Sequence, residues 1–328
     1  FSGKSAFAFL NSVLTNDLGK LASGHGQYTL LCQSDGGVVD DLYAYRLADD
    51  QFLLIVNASR REEDVAWLKA QLAEFADRGD VVMDDASDRY GAVAVQGPKV
   101  RAWIDLCFQP MPGASAGMPS AMAKNQIGVF ALRLNPAASV YVGCTGYTGE
   151  DGYEVIAPAD SIAEVWAALM AAGQASGLKP AGLGARDTLR TEMGYPLYGH
   201  ELDLKTTPLE AGLGFFVALN KGPFIGRDAL QKQKTEGLSK KCVAFKLLEK
   251  GAPPRPGYTI YENAQSSSPL GQVVSGTQSP SLGLGIGMGF VAPASAILGG
   301  TIFIEARRKR YQAVIVKKPI YQKPAQAD

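Results

Sequence analysis

From about residue 236 onward the chain has no helical apolar periodicity. Residues 243–247, 258–261, 271–275, 287–291, 301–305 and 312–316 are short strand-like runs separated by Gly, Pro and Ser. Strands of this length with turn residues between them predict a small all-β barrel or sandwich, because no stripe is present for a helix to bury. A chain of 328 residues is too long for one ordinary domain, so the remainder must supply one or two more.

The remainder reads as α+β. Residues 4–17 predict a helix with Phe7, Leu10 and Leu14 on one face. Three strand-like runs follow, at 27–33, 38–47 and 52–57. Asp35-Gly36-Gly37 joins the first two and Ala48-Asp49-Asp50 the second and third, which predicts an antiparallel meander. Ser59-Arg60-Arg61-Glu62 has the form of a capping box, starting a helix that buries Val65, Leu68, Leu72 and Phe75. A strand at 91–95 closes a first domain, 1–95. The second, 96–235, has strands at 129–134, 139–145 and 153–156. It also has a helix capped by Ser161 and a helix at 185–193 that stops at Gly194. The barrel, 236–328, is the third.

Charge and cysteine content narrow the function. Lys+Arg and Asp+Glu are both 32, so the net charge is zero, which argues against nucleic-acid and membrane-surface partners. Cys32, Cys107, Cys144 and Cys242 are scattered; three of the four sit in apolar, strand-like runs and predict buried free thiols, and the expected compartment is reducing. With two histidines, His25 and His200, no metal site is expected. No apolar run is long enough to span a bilayer and no signal peptide is read, so the expected location is the cytoplasm, or the mitochondrial matrix for a eukaryotic source.

Four clusters carry chemical potential. Gly36-Gly37-Val38-Val39-Asp40-Asp41-Leu42 puts two acids in an apolar strand, where alternation lets at most one face the core. One acid capping the turn and the other solvated fits equally well. Thr145-Gly146-Tyr147-Thr148-Gly149-Glu150-Asp151-Gly152-Tyr153-Glu154 lets backbone approach a ligand. It also supplies a carboxylate able to accept two parallel N–H bonds, although glycine-rich surface turns are common. Gly182-Leu183-Gly184-Ala185-Arg186-Asp187-Thr188-Leu189-Arg190 offers two arginines four apart, for an anion or for ordinary helix salt bridges. Tyr195-Pro196-Leu197-Tyr198-Gly199-His200-Glu201 is an aromatic loop in which a structural His200 is the simpler expectation.

In this order, and with Thr207-Pro208-Leu209-Glu210, Phe224-Ile225-Gly226-Arg227 and 275–282 (Ser-Gly-Thr-Gln-Ser-Pro-Ser-Leu), these stretches resemble the glycine cleavage T-protein family to about Tyr321. The resemblance implies a three-domain cloverleaf, two α/β domains with antiparallel sheets and a C-terminal barrel, around a central tetrahydrofolate channel. It implies an aminomethyltransferase that takes its one-carbon unit from the lipoyl arm of an H protein, with no metal. By the same resemblance Asp41 lies beside the folate nitrogens and is catalytic, and Glu154 holds the amino-pyrimidine edge with Tyr147 near the ring. Tyr28, Tyr43, Ile55 and Asn57 line the pocket, Arg186 completes its polar side, and Phe215 stands where the family usually has Trp.

Relatives usually carry roughly fifty residues before the position of Phe1, so a missing N-terminal segment is expected. A basic residue that some members carry at the barrel start is Cys242 here. The basic run Arg307-Arg308-Lys309-Arg310 either faces the H protein or a polyglutamate tail, or is a solvated strand end. Two other readings share the fold: a folate-dependent demethylase, and a non-enzymatic folate-binding protein of iron–sulfur maintenance. The latter's Lys-Gly-Cys-Tyr motif is replaced by Lys221-Gly222-Pro223-Phe224.

Overall fold

A computed structural model describes residues 1–111 and 117–323. The chain forms two compact units, Phe1–Thr29 with Leu42–Ala181, and Leu30–Asp41 with the residues from Gly182 onward. The dividing lines fall within strands of the first hairpin.

In the first unit α1 (Ala6–Val13) buries Ala6, Phe9, Leu10 and Val13. The meander β1 (His25–Cys32), β2 (Val38–Ala48) and β3 (Gln51–Ile55) forms a three-stranded sheet in that order. α2 (Arg61–Glu74) follows, but its expected capping box does not form. A short 3₁₀ turn, Ala58–Arg60, leads into the helix, so Arg60 rather than Ser59 takes the cap position and no side chain caps it. The buried stripe is also shifted: Asp64 and Leu68 are buried and Val65 and Leu72 only half so.

The second sheet contains β4 (Tyr90–Gln96), β5 (Phe108–Pro110), β6 (Ile127–Leu132), β7 (Asn135–Gly143) and β8 (Gly152–Pro158), ordered β4-β8-β7-β6-β5. The strand expected to close the first domain therefore belongs to this sheet. β4 pairs with β8 along its whole length, from Tyr90 opposite Pro158 to Gln96 opposite Gly152. α3 (Ile162–Gly173) begins after Ser161, which takes the cap position without a capping bond; its hydroxyl goes to Asp160 instead. The helix and one sheet face share a core of Phe108, Phe130, Val140, Val142, Tyr153, Val155, Val165 and Leu169.

In the second unit α4 (Leu183–Met193) ends at Gly194, whose left-handed backbone (φ 69°) lets its N–H close on the Arg190 and Thr191 carbonyls. After α5 (Arg227–Glu236) come β9 (Lys241–Leu247), β10 (Thr259–Tyr261), β11 (Gly271–Gln278), β12 (Gly285–Val291), β13 (Thr301–Ala306) and β14 (Lys309–Val316). They close into a barrel in the order β10-β11-β12-β9-β14-β13, which leaves no free edge. Its interior is Val243, Phe245, Leu247, Ile260, Val273, Ile302, Ile304 and Ala313. The six strand-like runs read from the sequence are all strands of this barrel. All four cysteines are buried and free. No helix among the described residues is long and apolar enough to cross a membrane.

Candidate functional site

β8 divides its side chains between two environments. Tyr153, Val155 and Ala157 are fully buried in the core shared with α3, while Glu154, one step out of phase, is on the opposite face and half-buried. Its cross-strand neighbours are Ala94 on β4 and Gly143 on β7, so small residues flank the carboxylate on both sides. Thr145 Oγ1 donates to Glu154 Oε2 at 2.6 Å, and Tyr45 Oη lies 3.0 Å from the same hydroxyl.

That tyrosine links Glu154 to the meander. Tyr43 and Tyr45 share a face of β2 with ring centroids 4.9 Å apart, and Tyr43 pairs directly with Ile55 on β3. On β1, a Cβ at Gly26 would meet the two rings at 2.4 and 2.6 Å; Tyr28, two residues on, lies on that same face of the strand. Burial pushes both phenols well above their ordinary 10.0, so each remains a hydrogen-bond donor through the physiological range. Tyr28, Tyr43, Ile55 and Glu154 thus lie on connected surfaces within the first unit. Asn57 is half-buried just past the end of β3.

The loop 144–151 is organised by a residue outside it. Gln96 Nε2 donates to the Thr145 carbonyl (3.1 Å) and the Tyr153 carbonyl (3.3 Å), while its Oε1 accepts from Thr148 (3.4 Å). A Cβ at Gly146 or Gly152 would fall 1.9 or 2.0 Å from that Oε1, so these two glycines make room for the amide. Tyr147 is half-buried in the loop so held.

The second unit carries Asp41, Arg186 and Phe215. Along β2, Asp40, Leu42 and Ala44 are buried, whereas Asp41 is half-buried on the alternate face. At the hairpin turn itself Asp35 Oδ1 accepts from Gly37 N at 3.0 Å. The paired glycines have a packing reason: a Cβ on Gly37 would sit 2.0 Å from the Leu204 carbonyl, and Val38 N donates to the Asp203 and Thr206 carbonyls.

Arg186 is exposed on the first turn of α4, and Phe215 is 92% exposed in a 3₁₀ turn, edge-on to Phe216. The two arginines of α4 are therefore not alike. Arg190 is buried, donating to Asp187, to Glu201 Oε2 (3.1 Å), to Ser275 Oγ (2.8 Å) and to the Tyr195 carbonyl. Glu192 accepts from Ser279 (2.5 Å) and Ser281 (2.9 Å). The serines of 275–282 are thus the barrel's hold on α4. His200 Nδ1 lies 2.6 Å from the Val274 carbonyl. Cys242 is buried among Ala244, Ile286, Met288 and Ile320, a packing position.

Tyr45 and Gln96 escape a reading of motifs, since each lies outside the stretch it organises. The available signal was the glycines at 26, 143, 146 and 152, which leave space for those two side chains.

Two family models match the chain: the GCVT N-terminal domain over residues 1–221 and the glycine cleavage T-protein C-terminal barrel domain over 240–322. Among curated relatives, the aminomethyltransferase of Bacillus subtilis (strain 168) is 39% identical over 323 residues, covering 98% of this chain and 84% of the relative. That of Halothermothrix orenii is 43% identical over 317 residues, covering 97% and 84%. The crystal structure of the glycine cleavage system aminomethyltransferase T from Bartonella henselae superposes with a TM-score of 0.82 at 27% identity, covering 98% of this chain and 82% of that one. Two matching family models, relatives near 40% identity and a common fold establish that this chain belongs to the glycine cleavage T-protein family.

Proposed function

We propose that the chain is a tetrahydrofolate-dependent aminomethyltransferase. It would take the aminomethyl group from the dihydrolipoyl sulfur of an H protein, release ammonia and yield 5,10-methylenetetrahydrofolate. The observation that carries the folate half is Glu154, a carboxylate held by Thr145 between two small neighbours, Ala94 and Gly143. A fixed carboxylate with open flanks suits the amino-pyrimidine edge of a pterin, which offers parallel N–H donors. Tyr28 and Tyr43 supply aromatic wall, Ile55 apolar wall and Asn57 a polar position beside them, and Tyr147 a stacking face. Arg186 is assigned the polar side of the bound folate and Phe215 an aromatic contact.

Folate supplies the nitrogens that accept the carbon. Two N–H protons leave those nitrogens as the two C–N bonds form, one ending on the departing ammonia and one on the lipoyl thiol, so the step needs no oxidant. Asp41 is assigned to receive or stabilise the proton of the attacking nitrogen, and such general-base assistance contributes about 10²–10⁴-fold in rate. Holding the reactants in register supplies much of the rest. Family membership supports the donor side, since the relatives carry the name aminomethyltransferase.

Ammonia release from aminomethyl-loaded H protein tests the assignment. Release should require tetrahydrofolate and fall about 10²–10³-fold in Asp41→Asn, with folate affinity changed far less. Folate-dependent demethylation of a small methyl donor, without release from H protein, would overturn it in favour of a demethylase. Folate binding with no turnover of either donor would favour a non-enzymatic role.

A further inference from the structure

Glu154 has no flanking side chain long enough to orient it, because its sheet neighbours are Ala94 and Gly143. Its orientation comes from a relay instead. A threonine hydroxyl has one proton, and Thr145 gives its proton to Glu154 Oε2 at 2.6 Å. The 3.0 Å contact between Tyr45 Oη and Thr145 Oγ1 must then run from tyrosine to threonine. Hydrogen bonds so chained polarise one another in the same direction. Tyr45 is 2% exposed and Thr145 7%, so water does not compete for either hydroxyl.

The surroundings are shaped for this relay. A Cβ at Gly143 would stand 2.6 Å from Tyr45 Oη and 3.3 Å from Thr145 Oγ1. Gly26 clears the path of the Tyr45 ring. The backbone of Thr145 is gripped separately, by Gln96. Thr145 is thus fixed at both ends, and its hydroxyl has one possible use.

We propose that Thr145 and Tyr45 are positioning residues that fix the Glu154 carboxylate through Oε2 and so aim its two oxygens at the parallel N–H donors of a ligand, which sets the selectivity for a pterin bearing a 2-amino group. This rests on the folate reading of Glu154. A carboxylate free to rotate would accept from many edges; one fixed by Thr145 rewards a donor placed in its plane.

The test is titration calorimetry on the full chain with two ligands, tetrahydrofolate and the same compound lacking the 2-amino group. Wild type should prefer the amino compound. Thr145→Val is isosteric and should reduce that preference about tenfold, the scale of one charge-assisted hydrogen bond, and Thr145→Ser should restore it. Tyr45→Phe should reduce it about threefold. A merely structural role would weaken both ligands equally and leave the ratio at its wild-type value in Thr145→Val, which would overturn the proposal. Glu154→Gln separates the two layers. If it lowers the ratio while Thr145→Val does not, the relay fails and the folate reading stands. If Glu154→Gln changes neither affinity, the folate reading of Glu154 fails, and the relay with it.

Discussion

Arg190 carries its charge at 1% exposure, facing Glu201 at 0% and Asp187 at the rim. A guanidinium so placed must be bonded in nearly every direction, and it is: to two carboxylates, a hydroxyl and a carbonyl. Breaking such a pair from one side leaves the other charge buried without its partner. Arg190→Met should cost about 3–5 kcal/mol in denaturant unfolding, and Arg190→Met/Glu201→Leu should recover a large part of that. A double variant no more stable than the single would show that the cost lies in packing rather than in the stranded carboxylate. From the sequence, Arg186 and Arg190 are equivalent members of one helix face, because the residue that separates them, Ser275, is on a strand far along the chain. Glu154 stands out as a candidate because it lies in a glycine-rich motif; Tyr45 and Gln96 do not, since hydrogen bonds across the fold have no local periodicity to betray them.

Elements were legible where local chemistry decides them and obscure where pairing does. The barrel strands announce themselves as short runs between turn residues, and Gly194 by the left-handed stop it provides. The strand Tyr90–Gln96 has strand chemistry, but which sheet it joins is settled by β8, more than fifty residues later. The cap patterns at Ser59 and Ser161 fail for a related reason: a preceding 3₁₀ turn or a neighbouring aspartate takes over the local bonding. The β13–β14 hairpin shows an element working against its own residues. Ala306 pairs with Lys309, leaving Arg307 (φ 52°) and Arg308 (φ 65°) as the two central turn positions. A two-residue turn with φ positive at both positions is the one that favours Asn-Gly, and a side chain costs about 1–2 kcal/mol at each. Arg310, next to the turn, pairs with Glu305 and stacks 3.5 Å from the Tyr261 ring centroid, so the strands stay in register despite the turn. Replacing Arg307-Arg308 by Asn-Gly should raise stability by about 1–2 kcal/mol, read as a higher denaturant midpoint at unchanged slope. No gain would mean that the arginines make compensating interactions in the folded chain.

At the scale of the whole molecule, the fold's dependence on buried neutral groups sets a pH window. Burial pushes the Cys107 and Cys242 thiols from 9.0 up to about 11, and Cys32 and the phenols of Tyr43 and Tyr45 further still. These are groups whose folded value exceeds the unfolded one. Below about pH 9 both states hold the proton and the contribution is complete. Between about 9 and 11 the unfolded chain gives up its thiol protons first, so stability falls, and the two thiol contributions are lost above about 11. At the acid end the sign reverses. Asp85, held down by the Ser87 hydroxyl and by Arg61, has its carboxyl lowered from 3.8 to about 2. Its contribution is present above 3.8 and disappears as pH falls towards 2. Unfolding midpoints measured from pH 2 to 11 should therefore show a plateau with two shoulders of separate origin. Cys107→Ala/Cys242→Ala should lower the plateau through lost packing yet flatten the alkaline slope. Asp85→Asn should flatten only the acid slope. An alkaline slope unchanged in the double cysteine variant would move its origin to Cys32 and to the buried phenols of Tyr43 and Tyr45.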